Sequence, residues 1–301
     1  MDAPSGAIYR LPDRPGSLNQ LKKLGDAIRD DDAAAYGNLH YNEVWSWSND
    51  LVAAAVRDIG DLDLASVLDT PANVSITGRA KIRATVREKL QRRRSDRLPS
   101  IQDLAGVRVE ADMTLTEQDR VADVLRRHFG QGVDAVHDLR DGAHSGYRAV
   151  HLWVRLDSPR GAWFEVQVRT RLQGHWANMY ESFADVLGRE IRYGALPSTE
   201  GDRSLVELVQ RLARREILAI EAVNDIVGKL AREEPVDRAL LAQAFVMLGL
   251  EPTVAKRRAY QAARPGGMDL AAIAAGTVED VSAILTEMEE HVRSLSQGKG
   301  E

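Results

Sequence analysis

The chain has 301 residues, with 40 Lys and Arg against 45 Asp and Glu and a formal net charge of −5. That balance excludes a globally basic nucleic-acid binder but leaves room for a local basic patch. There is no cysteine, so disulfides and thiolate-held zinc are excluded, and a cytoplasmic location is expected. No run approaches the ~20 apolar residues of a membrane helix, and residues 1–13 lack an apolar stretch of signal-peptide length.

Residues 1–16 read as a loose lead-in. Residues 18–60 read as helical, with Tyr36, Tyr41, Trp45 and Trp47 in a short window as packing anchors rather than a ligand cage. A strand is expected at 74–77, then an amphipathic helix over 80–94 with Ile82, Val86 and Leu90 inward. Next come a strand at 105–111, a helix at 117–129 and a short strand near 133–138. A Gly/His/Asp loop over 138–146 leads into a hairpin. In its first strand Val150, Leu152, Val154 and Leu156 point one way, and Tyr147, Ala149, His151 and Trp153 the other. In its second, Phe164, Val166 and Val168 face away from Glu165, Gln167 and Arg169. Ser158-Pro159-Arg160-Gly161 suits the turn. Residues 171–191 read as one long helix, with Leu172, Trp176, Tyr180, Phe183 and Leu187 on one face. A break at 194–198 precedes helices to the end, punctuated by Pro235, Pro252 and Pro265-Gly266-Gly267, with a polar tail after Ser296. The fold class is α/β (α+β), a mixed sheet with an antiparallel hairpin flanked by N- and C-terminal helices. Three segments follow: an N-terminal helical segment at 1–72, a central unit at 73–193, and a helical extension at 194–301.

Matching the hairpin faces gathers Tyr147, His151, Glu165, Gln167 and Arg169 on one sheet surface. A solvated strand face explains any one of these, but not an aromatic, an imidazole, a carboxylate, an amide and a guanidinium together. Between Ile76 and Arg108 lie ten cations (Arg79, Lys81, Arg83, Arg87, Lys89, Arg92, Arg93, Arg94, Arg97 and Arg108) against Glu88, Asp96 and Asp103. Lys81, Thr85, Lys89 and Arg92 share one helical face, and a row of cations with a hydroxyl suits a triphosphate. Asp103 and Glu165, on separate strands, suit Mg²⁺ shared with phosphate oxygens, or a base for an attacking hydroxyl. Tyr147 offers a stacking surface for a base.

Thr77-Gly78-Arg79-x-Lys81, Thr85-x-x-x-Lys89-x-x-Arg92, Asp103-Leu-Ala-Gly-x-Arg108, Gly146-Tyr147-Arg148-x-x-His151, Glu165-Val-Gln167-Val-Arg169-Thr170 and Trp176-Ala177 occur in this order. Over roughly 73–193 they resemble the synthetase domain of RelA/SpoT homologues. The resemblance implies a nucleotidyltransferase-like fold and transfer of pyrophosphate from ATP to a ribose 3′-hydroxyl. It implies Arg79 and Arg108 around the adenine and Lys81, Thr85, Lys89 and Arg92 on the phosphates. It also implies Asp103 and Glu165 on Mg²⁺, with Glu165 activating the hydroxyl. Tyr147 would stack the acceptor base, with His151, Gln167 and Arg169 nearby.

Two departures stand out. The only His-Asp pair, His137-Asp138, lies inside the synthetase region, so the hydrolase domain of the family's long members is not expected. Many members show Trp-Ala-x-x-Glu-His, whereas Trp176-Ala177-Asn178-Met179-Tyr180-Glu181 carries its glutamate one position later, about 100° around a helix. That shift leans the acceptor towards the 3′-end of tRNA, as in toxic small alarmone synthetases with antitoxin partners, with Arg93, Arg94 and Arg97 on the RNA backbone. The alternatives are GTP or GDP, giving (p)ppGpp, and adenosine alarmones. An inactive nucleotide or RNA sensor would gain nothing from two paired acids. A phosphohydrolase built on His137, Asp138, His144 and His151 lacks metal-ligand spacing.

Overall fold

The alternation along the hairpin organises the sheet. The computed structural model of the chain describes residues 6–69, 72–141, 145–232, 234, 238–247, 252, 254–255, 281–287 and 290. Its strands are β1 (Ser75–Ala80), β2 (Ala105–Ala111), β3 (Val136–Asp138), β4 (Val150–Arg155) and β5 (Trp163–Thr170). They form one mixed sheet in the order β1-β2-β5-β4-β3. The β2–β5 pair is parallel and the other pairs are antiparallel.

Register confirms the expected division of faces. Val150, Leu152 and Val154 lie opposite Val168, Val166 and Phe164, and Val107 and Val109 of β2 continue the same face. All eight side chains are buried. Helices α2 (Tyr41–Gly60) and α4 (Leu115–His128) cover them with Leu51, Ala55, Ile59, Val121 and Leu125. Each such aliphatic or aromatic side chain contributes at most about 1.5–3 kcal/mol. Phe164, edge-on to Phe129 at 5.2 Å, is the costliest to truncate, at about 3–5 kcal/mol for Phe164→Ala.

The opposite face carries the polar set. One line across the sheet runs Thr77, Arg108, Gln167, His151 and His137, and the next runs Arg79, Gly106, Glu165 and Trp153. Helices α1 (Leu18–Asp30) and α3 (Arg83–Arg92) pack beside it through Leu24, Ile28, Val86 and Leu90. Helix α5 (Arg171–Leu187) leaves β5 directly, capped by Thr170 with Gln173 in a capping box. Then follow α6 (Glu200–Leu212), a π-helical segment (Ala213–Ile217), α7 (Leu218–Ala231) and α8 (Arg238–Met247). No helix among the described residues is long and apolar enough to cross a membrane.

Several local expectations are corrected. The lead-in is docked from Gly6 onward: Ile8 is fully buried, Asp58 accepts from the Ala7 and Ile8 amides, and Trp47 Nε1 donates to Pro12 O at 2.8 Å. The α3 helix begins at Arg83, because Ala80 still pairs with Ala105 in the sheet; Ile82 therefore precedes the helix and is 55% exposed. Among the clustered aromatics, Tyr41 and Trp47 are buried anchors, but Trp45 is exposed. Residues 171–191 are not one helix: α5 stops at Gly188, whose φ of 108° breaks the helical path, and a 3₁₀ turn (Arg189–Tyr193) follows. The expectations for His144, Pro235, Pro265-Gly266-Gly267 and the tail after Ser296 lie outside the described residues.

Candidate active site

The cation-rich side of the site is built where β1 leaves the sheet. The Lys81 amide donates to Leu104 O at 2.9 Å, which lays Lys81 beside the short turn carrying Asp103, while Lys89 projects from α3. Lys81 Nζ stands 3.1 Å from Asp103 Oδ2, and Lys89 Nζ 2.8 Å from Oδ1. Burial opposes ionisation of Asp103, but the two ammonium groups outweigh it and hold the carboxyl below its usual range. Thr85 lies one turn before Lys89, half-buried. Arg92 extends the row, its guanidinium 3.6 Å from the Tyr193 ring centroid.

Arg79 and Arg108 converge on Glu181 of α5. Glu181 Oε2 is 3.4 Å from Arg79 Nη2, and Oε1 is 3.3 Å from Arg108 Nη2 and 3.5 Å from Arg192 Nη2. Asn178 Oδ1 also accepts from Arg108 Nη1 at 3.3 Å. Burial raises the Glu181 carboxyl pKa, but the Arg108, Arg79 and Arg192 charges bring it below the ordinary value.

The other side is one connected network on β4, β5 and the residues before β4. His151 Nδ1 meets Glu165 Oε1 at 2.8 Å, Trp153 Nε1 donates to the same oxygen at 3.3 Å, and Gln167 Nε2 donates to Oε2 at 2.6 Å. Tyr147 precedes the strand rather than lying in it, yet its hydroxyl reaches His151 Nε2 at 2.8 Å and accepts from Arg169 Nη2 at 2.8 Å. With Arg169 donating, the tyrosine proton points to Nε2, which leaves Nδ1–H for Glu165. Glu165 is 6% exposed. Burial favours its neutral form, but the hydrogen bonds from His151 and the Gln167 amide prevail, so the carboxyl is held low even with Asp103 close by. Arg169 Nε and Nη1 are buried without a hydrogen-bond partner, although Nη1 lies 3.6 Å from Glu110 Oε1.

The sequence matches the model of the region found in RelA / SpoT proteins over residues 78–183. The uncharacterized protein Rv1366 of Mycobacterium tuberculosis is 44% identical over 192 residues, which span 64% of this chain and 67% of that one. The chain belongs to the RelA/SpoT family. An uncharacterized protein of Mycobacterium bovis matches to the same extent. Among solved structures, small alarmone synthetase 1 from Bacillus subtilis is similar at 20% identity and TM-score 0.44, over 63% of this chain and 96% of that one. A GTP pyrophosphokinase family protein from Streptococcus pneumoniae gives 20% identity and TM-score 0.44, over 69% and 98%.

Of the expected residues, Arg79, Arg108, His151, Glu165, Gln167 and Arg169 lie on the polar sheet face, Lys81, Asp103 and Tyr147 just outside the strands, and Thr85, Lys89 and Arg92 on α3. The structure separates them into two groups: Arg79, Lys81, Thr85, Lys89, Arg92, Asp103 and Arg108 on one side, and Tyr147, His151, Glu165, Gln167 and Arg169 on the other. Part of the cation surplus is taken up by surface ion pairs, since Arg83 and Arg87 pair with Asp31 and Arg97 with Asp26. Glu110 was missed, though it shares the alternation of Arg108 and faces Arg169. The arginine-binding role of Glu181 had no local signal, because its partners lie on β1, on β2 and after α5. Among the described residues no cluster of three His, Asp or Glu forms a metal cage. Asp103 and Glu165 are hard oxygen donors of the kind Mg²⁺ takes, and each is held ionised by its neighbours.

Proposed function

We propose that the chain is an ATP-dependent pyrophosphokinase. The observation that supports it best is the junction of two differently charged groups on one sheet face: cations held by Asp103 and Glu181 beside a buried, ionised Glu165. Arg79 and Arg108 bind the adenine, and Lys81, Thr85, Lys89 and Arg92 the phosphates. Asp103 and Glu165 would hold Mg²⁺, which supplies charge neutralisation at the transferring group. Tyr147 stacks the acceptor base while His151, Gln167 and Arg169 orient its ribose and phosphates. The acceptor 3′-oxygen bonds to the β-phosphorus of ATP, the bond to the α,β-bridging oxygen breaks, AMP leaves, and Glu165 takes the hydroxyl proton. A carboxylate held below its usual range stays ionised for that task across the neutral pH range.

Two acceptors divide the proposal. The 3′-terminal adenosine of tRNA is supported by Glu181: it faces arginines, and Tyr180 in the corner before it is buried with its hydroxyl on Ile191 O. A toxin with an antitoxin partner belongs to this version. A guanine nucleotide, giving (p)ppGpp, is favoured by the pairing of Arg97 with Asp26, which takes up one of the three cations expected on an RNA backbone. The test is γ-labelled ATP with Mg²⁺, offered GDP, GTP, AMP and deacylated tRNA in parallel. Label on tRNA alone supports the first acceptor and label on GDP or GTP the second. ATP binding with no transfer to any acceptor overturns the enzyme.

A further inference from the structure

The acceptor loop is closed from behind by helices outside the family region. Gly146, at φ +87°, lies so close to the π-helical segment that an added Cβ would meet Ala213 Cβ at 3.0 Å and Gln210 O at 3.1 Å. Trp176 Nε1 donates to Val209 O at 2.9 Å, and Gln210 Nε2 to Tyr180 Oη at 2.8 Å. Two residues on, Arg148 turns away from the sheet face and into the protein. Its Nε and Nη2 donate to Glu221 Oε2 of α7 at 3.2 and 2.8 Å, and its Nη1 to Arg140 O. Glu221 Oε1 accepts from Thr170 Oγ1 and Gln173 Nε2, both at 2.7 Å. The two charged side chains are 7% and 3% exposed.

We infer that Glu221 is a positioning residue for acceptor binding: through Arg148 and Thr170 it fixes the loop that presents Tyr147 and the end of β5 that presents Arg169. Three observations carry this. The pair is buried and charge-assisted, so one partner without the other leaves an unpaired charge. Arg148 is the chain neighbour of Tyr147, and Thr170 that of Arg169, so both ends of the Tyr147–Arg169 hydrogen bond rest on one carboxylate. Gly146 lets the π-helical segment lie directly on the loop, and such segments are frequent at functional sites. The helices beyond residue 194 thus form the rear wall of the acceptor side, and the donor lysines and Asp103 have no part in this network.

The inference rests on the proposed activity only for its kinetic arm. In the full chain, Glu221→Gln removes the charge and keeps an acceptor for Thr170, and Arg148→Met/Glu221→Gln also removes the stranded guanidinium. The readouts are thermal stability, amide exchange of residues 145–149, ATP affinity by calorimetry, and KM for the acceptor that takes label. Expected for Glu221→Gln are faster exchange in that loop, ATP affinity within about twofold, and an acceptor KM raised roughly tenfold to a hundredfold, the scale of a small misplacement. In the double variant stability returns while acceptor KM and loop exchange stay high. Wild-type exchange and KM in Glu221→Gln, or recovery of both along with stability in the double variant, would overturn the inference. If no acceptor takes label even with wild-type protein, the activity fails, yet the exchange data still decide the role of Glu221.

Discussion

On the proposed donor side, Lys81 and Lys89 meet Asp103, and Arg79 and Arg108 meet Glu181, through ion pairs that an incoming polyphosphate would compete for directly. On the proposed acceptor side, Tyr147, His151, Glu165, Gln167 and Arg169 are already joined by hydrogen bonds on β4, β5 and the stretch just before β4. The first arrangement holds cations against the protein's own carboxylates, so binding of ATP there would exchange one anion for another. The second is preorganised, so little rearranges when a hydroxyl arrives. Exposure follows the same division: the Arg79 side chain is 72% exposed and that of Arg169 3%.

Three substitutions sharpen this contrast, from the largest expected effect to the smallest. Asp103→Asn removes the carboxylate between the lysines and one of the two acids for Mg²⁺. Transfer is expected to fall at least about a hundredfold, within the range of a lost electrostatic group, while ATP binds more tightly in EDTA because Lys81 and Lys89 are released. Calorimetry with and without Mg²⁺ checks it, and weaker metal-free binding would break the account of the donor side. His151→Gln removes the imidazole that lowers the Glu165 carboxyl pKa, leaving burial to push it upward. The acid limb of kcat/KM therefore moves to higher pH, with a loss of roughly tenfold to a hundredfold at neutral pH; an unmoved limb would detach Glu165 from the network. Glu181→Ala frees Arg79 and Arg108. The pairs are partly exposed and screened by salt, so a change in KM for ATP of only about twofold to fivefold is expected, shrinking as ionic strength rises.

The same two carboxylates set an acid dependence of stability. Folded Asp103 and Glu165 titrate below their unfolded values, so their stabilisation is complete at neutral pH. It is lost as pH falls through their lowered folded values.

Much of this was legible in the sequence because strand alternation has a period of two. Val150 to Phe164 assigned the core, and what remained was the site face. Spacing also placed Lys89 and Arg92 together, but it carried the helix back through Ile82. The sheet pairing of Ala80 with Ala105 is a long-range fact that overrides local periodicity. Glu181 and Glu221 show the limit of such inference: a helix pattern names the face a carboxylate occupies, not the arginine it meets. A lone Glu221 inside the apolar run 217–223 was the available clue, since a buried carboxylate requires a partner.

The most direct test of the central claim compares ATP labelled at the α- and β-phosphorus with wild-type protein and Glu165→Gln, in Mg²⁺ with the acceptor panel. The account predicts that β-label moves to an acceptor while α-label appears only in AMP. It also predicts that Glu165→Gln slows both by about 10²–10⁴ with ATP binding retained. Transfer of γ-phosphate alone with ADP as product, or full activity in Glu165→Gln, would contradict it.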